Sequence, residues 1–167
     1  MPDPRLPFDP IDRAGELWEQ HFGDSAHMRL ATSVMRVQQL MIARLDAAVK
    51  PFGLTFSRYE VLVLLLFSKR GSLPLSKIGE RLMVHPTSVT SAIDRLEAQG
   101  LVERVPDEDD RRRTLARLTD GGRSVVKEAT DAIEADDFAV TGLTSKQTED
   151  AYKLLRKVRS SSGDFAD

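Results

Sequence analysis

The chain contains no cysteine in its 167 residues. Disulfides, thiolate zinc sites, cysteine nucleophiles and thiol-based redox sensing are therefore excluded. Histidine is scarce as well, with three residues at positions 21, 27 and 85. No HExxH, GxSxG or P-loop pattern occurs, so the chain lacks the motifs of common metal-dependent, nucleophilic and phosphate-binding enzymes. We expect a protein that is not an enzyme and has no cofactor and no metal site.

Long uncharged apolar runs are also absent. No such stretch reaches about 18 residues, and the first ten residues, MPDPRLPFDP, lack the basic start and apolar core of a signal peptide. Together with the missing cysteines, this predicts a soluble, cytoplasmic protein with no membrane partner. The net charge is −2, so a nucleic-acid site has to come from local charge placement, because bulk charge neither supports nor excludes one.

Helical periodicity is clearest at the two ends of the chain. In the N-terminal extension, residues 1–24, Asp9 and Pro10 predict the capped start of a short amphipathic helix. Residues 25–50 contain no proline or glycine and carry two adjacent apolar stripes, so they predict a long helix with more than one partner surface. The methionines in these stripes either belong to the core or line a ligand pocket.

The C-terminal part repeats the helical pattern. Thr119 is expected to cap a helix that runs to about Phe138. Thr144 and Gln147 form a capping-box pattern in front of a further helix. Residues 161–167 form a tail.

The middle of the chain, residues 55–119, begins with a strongly apolar segment. Seven consecutive apolar residues at 61–67 fit either a buried strand or a helix. The capping-box pattern of Ser57 and Glu60 favours the helix. The following "SLPLS" predicts an edge strand, because proline cannot donate to a central ladder.

Two further helices then form a helix-turn-helix pattern. Ser76 is expected to cap a brief helix, while Pro86 and Gly100 mark the start and end of the next one. The predicted turn between them is three or four residues long. His85 stands directly before Pro86 and is either a cap or linker residue or a pH sensor.

The second of these helices has an unusual outer face. Its apolar positions are Val89, Ala92, Ile93 and Leu96. Its outward or bordering positions are Thr87, Ser88, Thr90, Ser91, Asp94 and Arg95. Small hydroxyl side chains would let the helix approach a phosphate or a base edge closely, and the positive helix end favours the phosphate. The alternative is that the hydroxyls only cap the helix.

A charge block, "PDEDDRRR", lies between the alternating segments "LVERV" and "TLARL", which together predict a β-hairpin. The block would form the hairpin tip, from which Arg111, Arg112 and Arg113 could enter a minor groove or contact phosphates. We expect Asp110, and with it Asp107, to fold back on nearby arginines or loop N–H groups and hold the tip in shape. The alternative is a solvated turn whose charges cancel.

The stretch "HPTSVTSAIDRLEAQGLVERVPDEDDRRRTLARLTDGGR" resembles the recognition helix and wing of the multiple-antibiotic-resistance regulator (MarR) family, and the resemblance covers about residues 26–159. The wing motif Asp-Arg-Arg of the family falls on Asp110, Arg111 and Arg112. The resemblance implies a mainly α protein with a small β-hairpin wing, a winged helix-turn-helix at 55–119. It also implies a dimer formed through the N- and C-terminal helices at 25–54 and 120–160.

The functional implication is a ligand-responsive transcriptional regulator, a repressor, that binds a palindromic double-stranded DNA operator as a homodimer. Two features depart from the family: the wing segment "DEDD" is more acidic than usual, and residues 1–24 lie outside the common core. Members with such an extension include some that bind urate-like ligands through a tryptophan and a recognition-helix arginine. Trp18 matches the former, but Ser91 stands where that arginine would be, so this ligand is not carried over.

These patterns define two sets of candidate site residues. The predicted DNA contacts are Ser76, Pro86, Thr87, Ser88, Thr90, Ser91, Arg95, Asp110, Arg111, Arg112 and Arg113. The candidate contacts of a small, anionic or aromatic effector are Trp18, His21, His27 and Arg29. The alternative interpretation is that these are surface residues and a packing tryptophan. The alternative function is a winged-helix module that binds protein rather than DNA.

Overall fold

The structure is a computed structural model that describes residues 6–107, 110 and 113–166. Its helices are α1 (Pro10–Phe22), α2 (Ala26–Val49), α3 (Phe56–Leu66), α4 (Leu75–Leu82), α5 (Pro86–Ala98), α6 (Asp120–Glu134) and α7 (Ser145–Ser161), with 3₁₀ turns at Lys50–Phe52 and Asp137–Ala139. Its strands are β1 (Ser72–Pro74), β2 (Val102–Pro106) and β3 (Thr114–Leu118). The predicted mainly helical fold with a small hairpin is confirmed.

The chain forms two compact units, Met1–Arg44 and Leu45–Asp167. In the first, α1 begins as predicted: Asp9 is its N-cap and accepts a hydrogen bond from the N–H of Ile11 at 2.8 Å, with Pro10 in the first turn. The first part of α2 leaves large apolar side chains exposed, among them Leu30, Met35 and Leu40. Within the described residues of this unit, this part of the helix therefore has apolar side chains that nothing covers.

The second unit has a core between helices and sheet. Its fully buried side chains come from the end of α2, from α3 to α6 and from β2, and they include Val49, Leu62, Leu65, Ile78, Ile93, Leu96, Val102, Val126 and Ile133. The antiparallel sheet has the order β1-β3-β2, and Ala116 of β3 pairs with Leu73 on one side and Arg104 on the other. The predicted edge strand and hairpin are therefore confirmed, and they place the hairpin directly after α5.

Two predicted helix starts are wrong. Ser57 and Glu60 form no capping box, because α3 begins at Phe56, whose N–H donates instead to the Asp46 carboxylate at 2.6 Å. Ser76 does not cap α4, which begins at Leu75. In both cases a residue that precedes the helix, Asp46 for α3 and Pro74 for α4, determines where the helix begins.

The end of α6 also differs from the prediction. The helix stops at Glu134 rather than near Phe138, because residues 137–139 have positive φ angles of 48°, 53° and 59°. The other predicted caps are confirmed: Thr119 accepts from the N–H of Gly122 at 3.0 Å, and Thr144 and Gln147 form a full capping box. In the described part of the chain, no helix combines the length and apolar character needed to cross a membrane.

Candidate nucleic-acid interface

The helix-turn-helix is built by α4, residues 83–85 and α5. Met83 takes a left-handed conformation with φ 52°, and its N–H caps α4 by donating to Gly79 O. Gly79 allows the close approach of the turn to α4, because an added Cβ would lie 3.1 Å from Val84 O. His85 is the N-cap of α5 and its Nδ1 accepts from the N–H of Thr87 at 3.3 Å, which confirms the cap interpretation.

The predicted faces of α5 are confirmed. Val89, Ile93 and Leu96 are at most 2% exposed, so they anchor the helix in the core. The outer positions are all exposed, and we call them the helix face: Thr87, Ser88, Thr90, Ser91 and Arg95. The first turns of α5 therefore present hydroxyl groups on a rigid support.

Two depressions flank the helix face. One lies between α4 and α5, has a volume of about 560 Å³, and is lined by Ser76, Pro86 and Thr90 among others. The other is smaller, about 370 Å³, and includes the remaining four residues of the helix face. The structure thus groups the predicted helix contacts around one exposed helix, on two sides of it.

The smaller depression also contains Arg58, which sequence reasoning missed. Its Nη1 donates to the Gln99 side chain at 3.4 Å, and Gln99 Nε2 donates to Gly53 O at 2.9 Å. These contacts join residues more than 40 positions apart, so no local pattern in the sequence reveals them.

We define the wing as β2, β3 and the connecting residues 107–113. Arg104, on β2, joins the wing to α5. Its guanidinium contacts the carboxylates of Asp94 and Glu97, and its backbone N–H donates to Glu97 at 3.1 Å. Hydrogen bonding to Asp94, then to Glu97, raises the pKa of Arg104. Asp94 therefore serves the junction of helix and wing.

A second ion pair crosses the two wing strands. Arg117 Nε lies 2.8 Å from Glu103 Oε1, and the two residues are direct partners in the antiparallel register. The hydrogen bond that Arg117 donates to this carboxylate raises the pKa of its guanidinium. The strand arginines of the wing are thus neutralised within the protein.

At the wing tip, the expected fold-back of Asp110 is confirmed for one arginine. Asp110 Oδ2 lies 3.4 Å from Arg113 Nε, and its carbonyl accepts from the Arg113 N–H at 2.8 Å. The N–H of Asp107 donates to the Arg113 carbonyl at 3.1 Å. The predicted contacts Arg111 and Arg112 lie outside the described residues.

The four candidate effector contacts lie in the first unit. Trp18 packs on Phe22 with 4.9 Å between ring centroids, and His21 Nδ1 hydrogen-bonds Leu17 O at 2.8 Å. His27 is exposed at the start of α2. These three side chains thus have the packing and surface environments that formed the alternative interpretation.

Arg29 is engaged in holding α1 against α2. Its guanidinium pairs with Asp12 and donates through Nε to the buried Ser25 hydroxyl at 2.8 Å. The guanidinium covers Gly15, where an added Cβ would lie 2.2 Å from Nε. Because its charge is already paired, Arg29 is a weak candidate for an anionic effector, although an effector role of the four residues stays a prediction.

A larger cavity, of about 720 Å³, lies between α3 and α6. This cavity was not predicted from the sequence. Its lining is mainly apolar on the α3 side, with Val63 and Leu64, and charged on the α6 side, with Lys127 and Asp131. Glu60 belongs to it, and burial raises the pKa of this carboxyl. Among the described residues, no group of His, Asp and Glu could hold a metal ion.

The chain is similar to proteins of one known family. Residues 56–114 match the model of the MarR family. The chain is 32% identical to an uncharacterized HTH-type transcriptional regulator, YhbI, of Bacillus subtilis (strain 168) over 117 residues, which cover 70% of this chain and 73% of that protein.

Solved structures agree. Sco5413, a MarR family transcriptional regulator from Streptomyces coelicolor, shares 50% identity and a TM-score of 0.78, covering 84% of this chain and 98% of its own. Sco3205, another MarR family transcriptional regulator of that organism, was solved in complex with DNA. It shares 25% identity and a TM-score of 0.70, covering 79% of this chain and 84% of its own. The chain therefore belongs to the MarR family.

Proposed function

We propose that the protein is a ligand-responsive transcriptional regulator, acting as a repressor, that binds a palindromic double-stranded DNA operator as a homodimer. The observation that carries this proposal is the helix face: exposed hydroxyls and Arg95 on a helix anchored by buried Ile93 and Leu96. An α-helix fits the major groove, and short hydroxyl side chains permit its close approach to base edges. The DNA complex of Sco3205 supports the same use of the fold.

Within this proposal the residues divide by task. Thr90 and Ser91 contact bases, whereas Thr87, Ser88 and Arg95 contact the backbone beside the major groove. Ser76 and Pro86 border the same surface on the α4 side. At the wing, Arg111, Arg112 and Arg113 reach the minor groove or its phosphates, with Asp110 shaping the tip.

The homodimer accounts for apolar surface that one chain leaves exposed. On α7 this surface comprises Tyr152, Leu154, Leu155 and Val158, and α2 carries a similar set. A second copy would remove both from water, which is the main source of association energy. A twofold axis then sets two α5 helices about 34 Å apart, the spacing of successive major grooves on one side of B-DNA.

The effector is assigned to the cavity between α3 and α6 rather than to the residues around Arg29. The cavity is mainly apolar and has the volume of a small-molecule site. It contains both acidic and basic side chains, which suits an aromatic molecule better than a simple anion. Filling it would favour one arrangement of the helices and thereby change the spacing of the recognition helices.

The relatives named above are regulators rather than enzymes, and the proposal includes no catalytic role. A regulator of chromosomal genes works where the DNA lies, so the proposal places the protein in the cytoplasm.

The test is selection of bound sequences from a random duplex library at two salt concentrations. We expect enrichment of a palindrome with half-sites about one helical turn apart. No enrichment, with weak binding that disappears at moderate salt, would contradict the proposal and would favour a module that binds a protein partner.

A further inference from the structure

The depression beside the helix face has the composition of an anion site. It lies between the start of α3 and the exposed side of α5, with a volume of about 370 Å³. Its eight lining residues comprise two arginines, Arg58 and Arg95, five with hydroxyl groups, and one alanine. We call it the Arg58 cleft. Because no carboxylate lines it, the positive charge in the cleft is not cancelled locally.

Arg58 is held in place by neutral partners. Its Nε donates to Thr55 Oγ1 at 3.2 Å and its Nη1 to Gln99 Oε1 at 3.4 Å. Gln99 is in turn fixed by donating to the carbonyl of Gly53 at 2.9 Å. The guanidinium is therefore oriented before any ligand arrives, while its charge is retained.

The contrast with the wing shows that this arrangement is not general. Arg104 and Arg117 each contact carboxylates, which neutralise them. In the part of the chain that the structure describes, neither Arg58 nor Arg95 forms an ion pair. An oriented, uncompensated arginine next to a hydroxyl-lined space suits an oxyanion, because the guanidinium fork matches two phosphate oxygens.

We propose that the Arg58 cleft binds a phosphate of the DNA backbone, with Arg58 as the contact and Gln99 as its positioning residue. The inference rests on the proposed function, because the phosphate belongs to the strand that flanks the groove entered by α5. The hydroxyls of Ser57 and Ser88 line the same space and complete the binding of this phosphate, while Arg95, which also lines the cleft, neutralises a neighbouring phosphate of the same strand. The contact fixes the position of the recognition helix but reads no sequence.

The experiment measures binding of the selected operator duplex over a range of salt for the full-length protein and for Arg58→Ala. Each neutralised phosphate contributes about 0.9 to the slope of log K against log salt. In a dimer with two clefts, we expect Arg58→Ala to lower the slope by about 1.8, with a loss of about sixtyfold near 0.1 M salt. Arg58→Lys keeps the charge but loses the fork, so it should keep the slope and bind more weakly.

Two controls separate this contact from general effects. Lys146→Ala removes a positive charge from the exposed first turn of α7 and should leave the slope unchanged. Gln99→Ala removes only the support of Arg58, so it should weaken binding without lowering the slope as far as Arg58→Ala. Thermal unfolding verifies that each variant is folded, and Arg58→Gln provides a second neutral variant if the alanine change disturbs α3.

The outcomes distinguish this inference from the function on which it rests. If the wild-type protein selects no operator, the proposed function fails. If the wild-type protein binds with a steep salt slope and the neutral Arg58 variants keep that slope, only the phosphate contact is overturned. A loss confined to certain operator sequences would also overturn it, since a backbone contact weakens binding to all sequences alike.

Discussion

The helix face and the wing both carry arginine, but they differ in whether its charge is paired with a carboxylate. On the wing strands, Arg104 and Arg117 are paired with carboxylates, and at the tip Arg113 is paired with Asp110. On the helix side, Arg95 of the helix face and the neighbouring Arg58 share a cleft without a carboxylate. The described residues of the wing therefore use charge largely to hold its shape, whereas the helix side keeps charge available for a ligand.

This difference explains how a chain of net charge −2 can be a DNA-binding protein. Many of its acidic residues are engaged in intramolecular pairs, such as Glu97 and Glu103, and neither of these two lines the Arg58 cleft. The local potential beside α5 is set by the groups that remain unpaired there, because screening limits the reach of distant charges.

The largest expected effect comes from removing the support of the helix face. Ile93→Ala should lower the free energy of unfolding by about 2–5 kcal/mol, because Ile93 is fully buried under α5 and its truncation leaves a cavity. Urea denaturation measures the change. The matched variant Thr90→Ala, on the exposed side of the same helix, should stay within about 0.5 kcal/mol of the wild-type value; a similar loss in both would contradict the assignment of the two faces.

Specificity should depend on the helix face and not on its arginine. Thr90→Val and Ser91→Ala should change which operator base is preferred, by about 1–3 kcal/mol of discrimination, because these side chains are assigned to base edges. Arg95→Ala should weaken binding to all sequences in parallel. Affinities for the selected operator and its single-base variants check both statements, and an unchanged order of preference in the Thr90 and Ser91 variants would remove them from the readout.

The junction of helix and wing is expected to make a smaller contribution. Glu97→Ala leaves Arg104 with one carboxylate partner and removes the acceptor of its backbone N–H. We expect a loss of about 1 kcal/mol in unfolding free energy, a modest value because the pair is partly exposed to solvent. Chemical denaturation of Glu97→Ala and Glu97→Gln would measure it, and equal stability of both variants and the wild-type protein would show that the junction does not depend on this pair.

The smallest effect is expected at the wing tip. Asp110→Ala releases Arg113, so the tip has to be ordered when DNA binds, at a cost of about 0.5–1.5 kcal/mol for the freed side chain. The released positive charge partly offsets this cost, and we expect about a threefold weaker operator affinity. Unchanged affinity in Asp110→Ala, measured beside the control Asp164→Ala near the C-terminus, would mean that the fold-back has no role in binding.

The sequence predicted features that depend on near neighbours. Asp9, Thr119 and Thr144 cap their helices as expected, and the alternating segments form the hairpin, because these signals act over a few residues. The apolar positions of α5 likewise predicted which side of it is buried.

Contacts between distant positions could not be predicted in this way. Asp46 takes the place of the expected Ser57 cap, and Gln99 links Arg58 to Gly53 across more than 40 residues. Arg29 was assigned to an effector because its charge is visible in the sequence, but its pairing with Asp12 depends on how α1 packs against α2. Local patterns reveal which charges exist, and tertiary structure decides which of them remain unpaired.

The most direct test of the contrast between helix face and wing is the salt dependence of operator binding in two variants of equal charge change. Arg95→Ala removes an unpaired charge from the helix face, and Arg117→Ala removes a charge already paired with Glu103. We expect Arg95→Ala to lower the slope by about 0.9 for each cleft of the dimer and Arg117→Ala to leave it nearly unchanged. A larger loss of slope in Arg117→Ala than in Arg95→Ala would contradict the account.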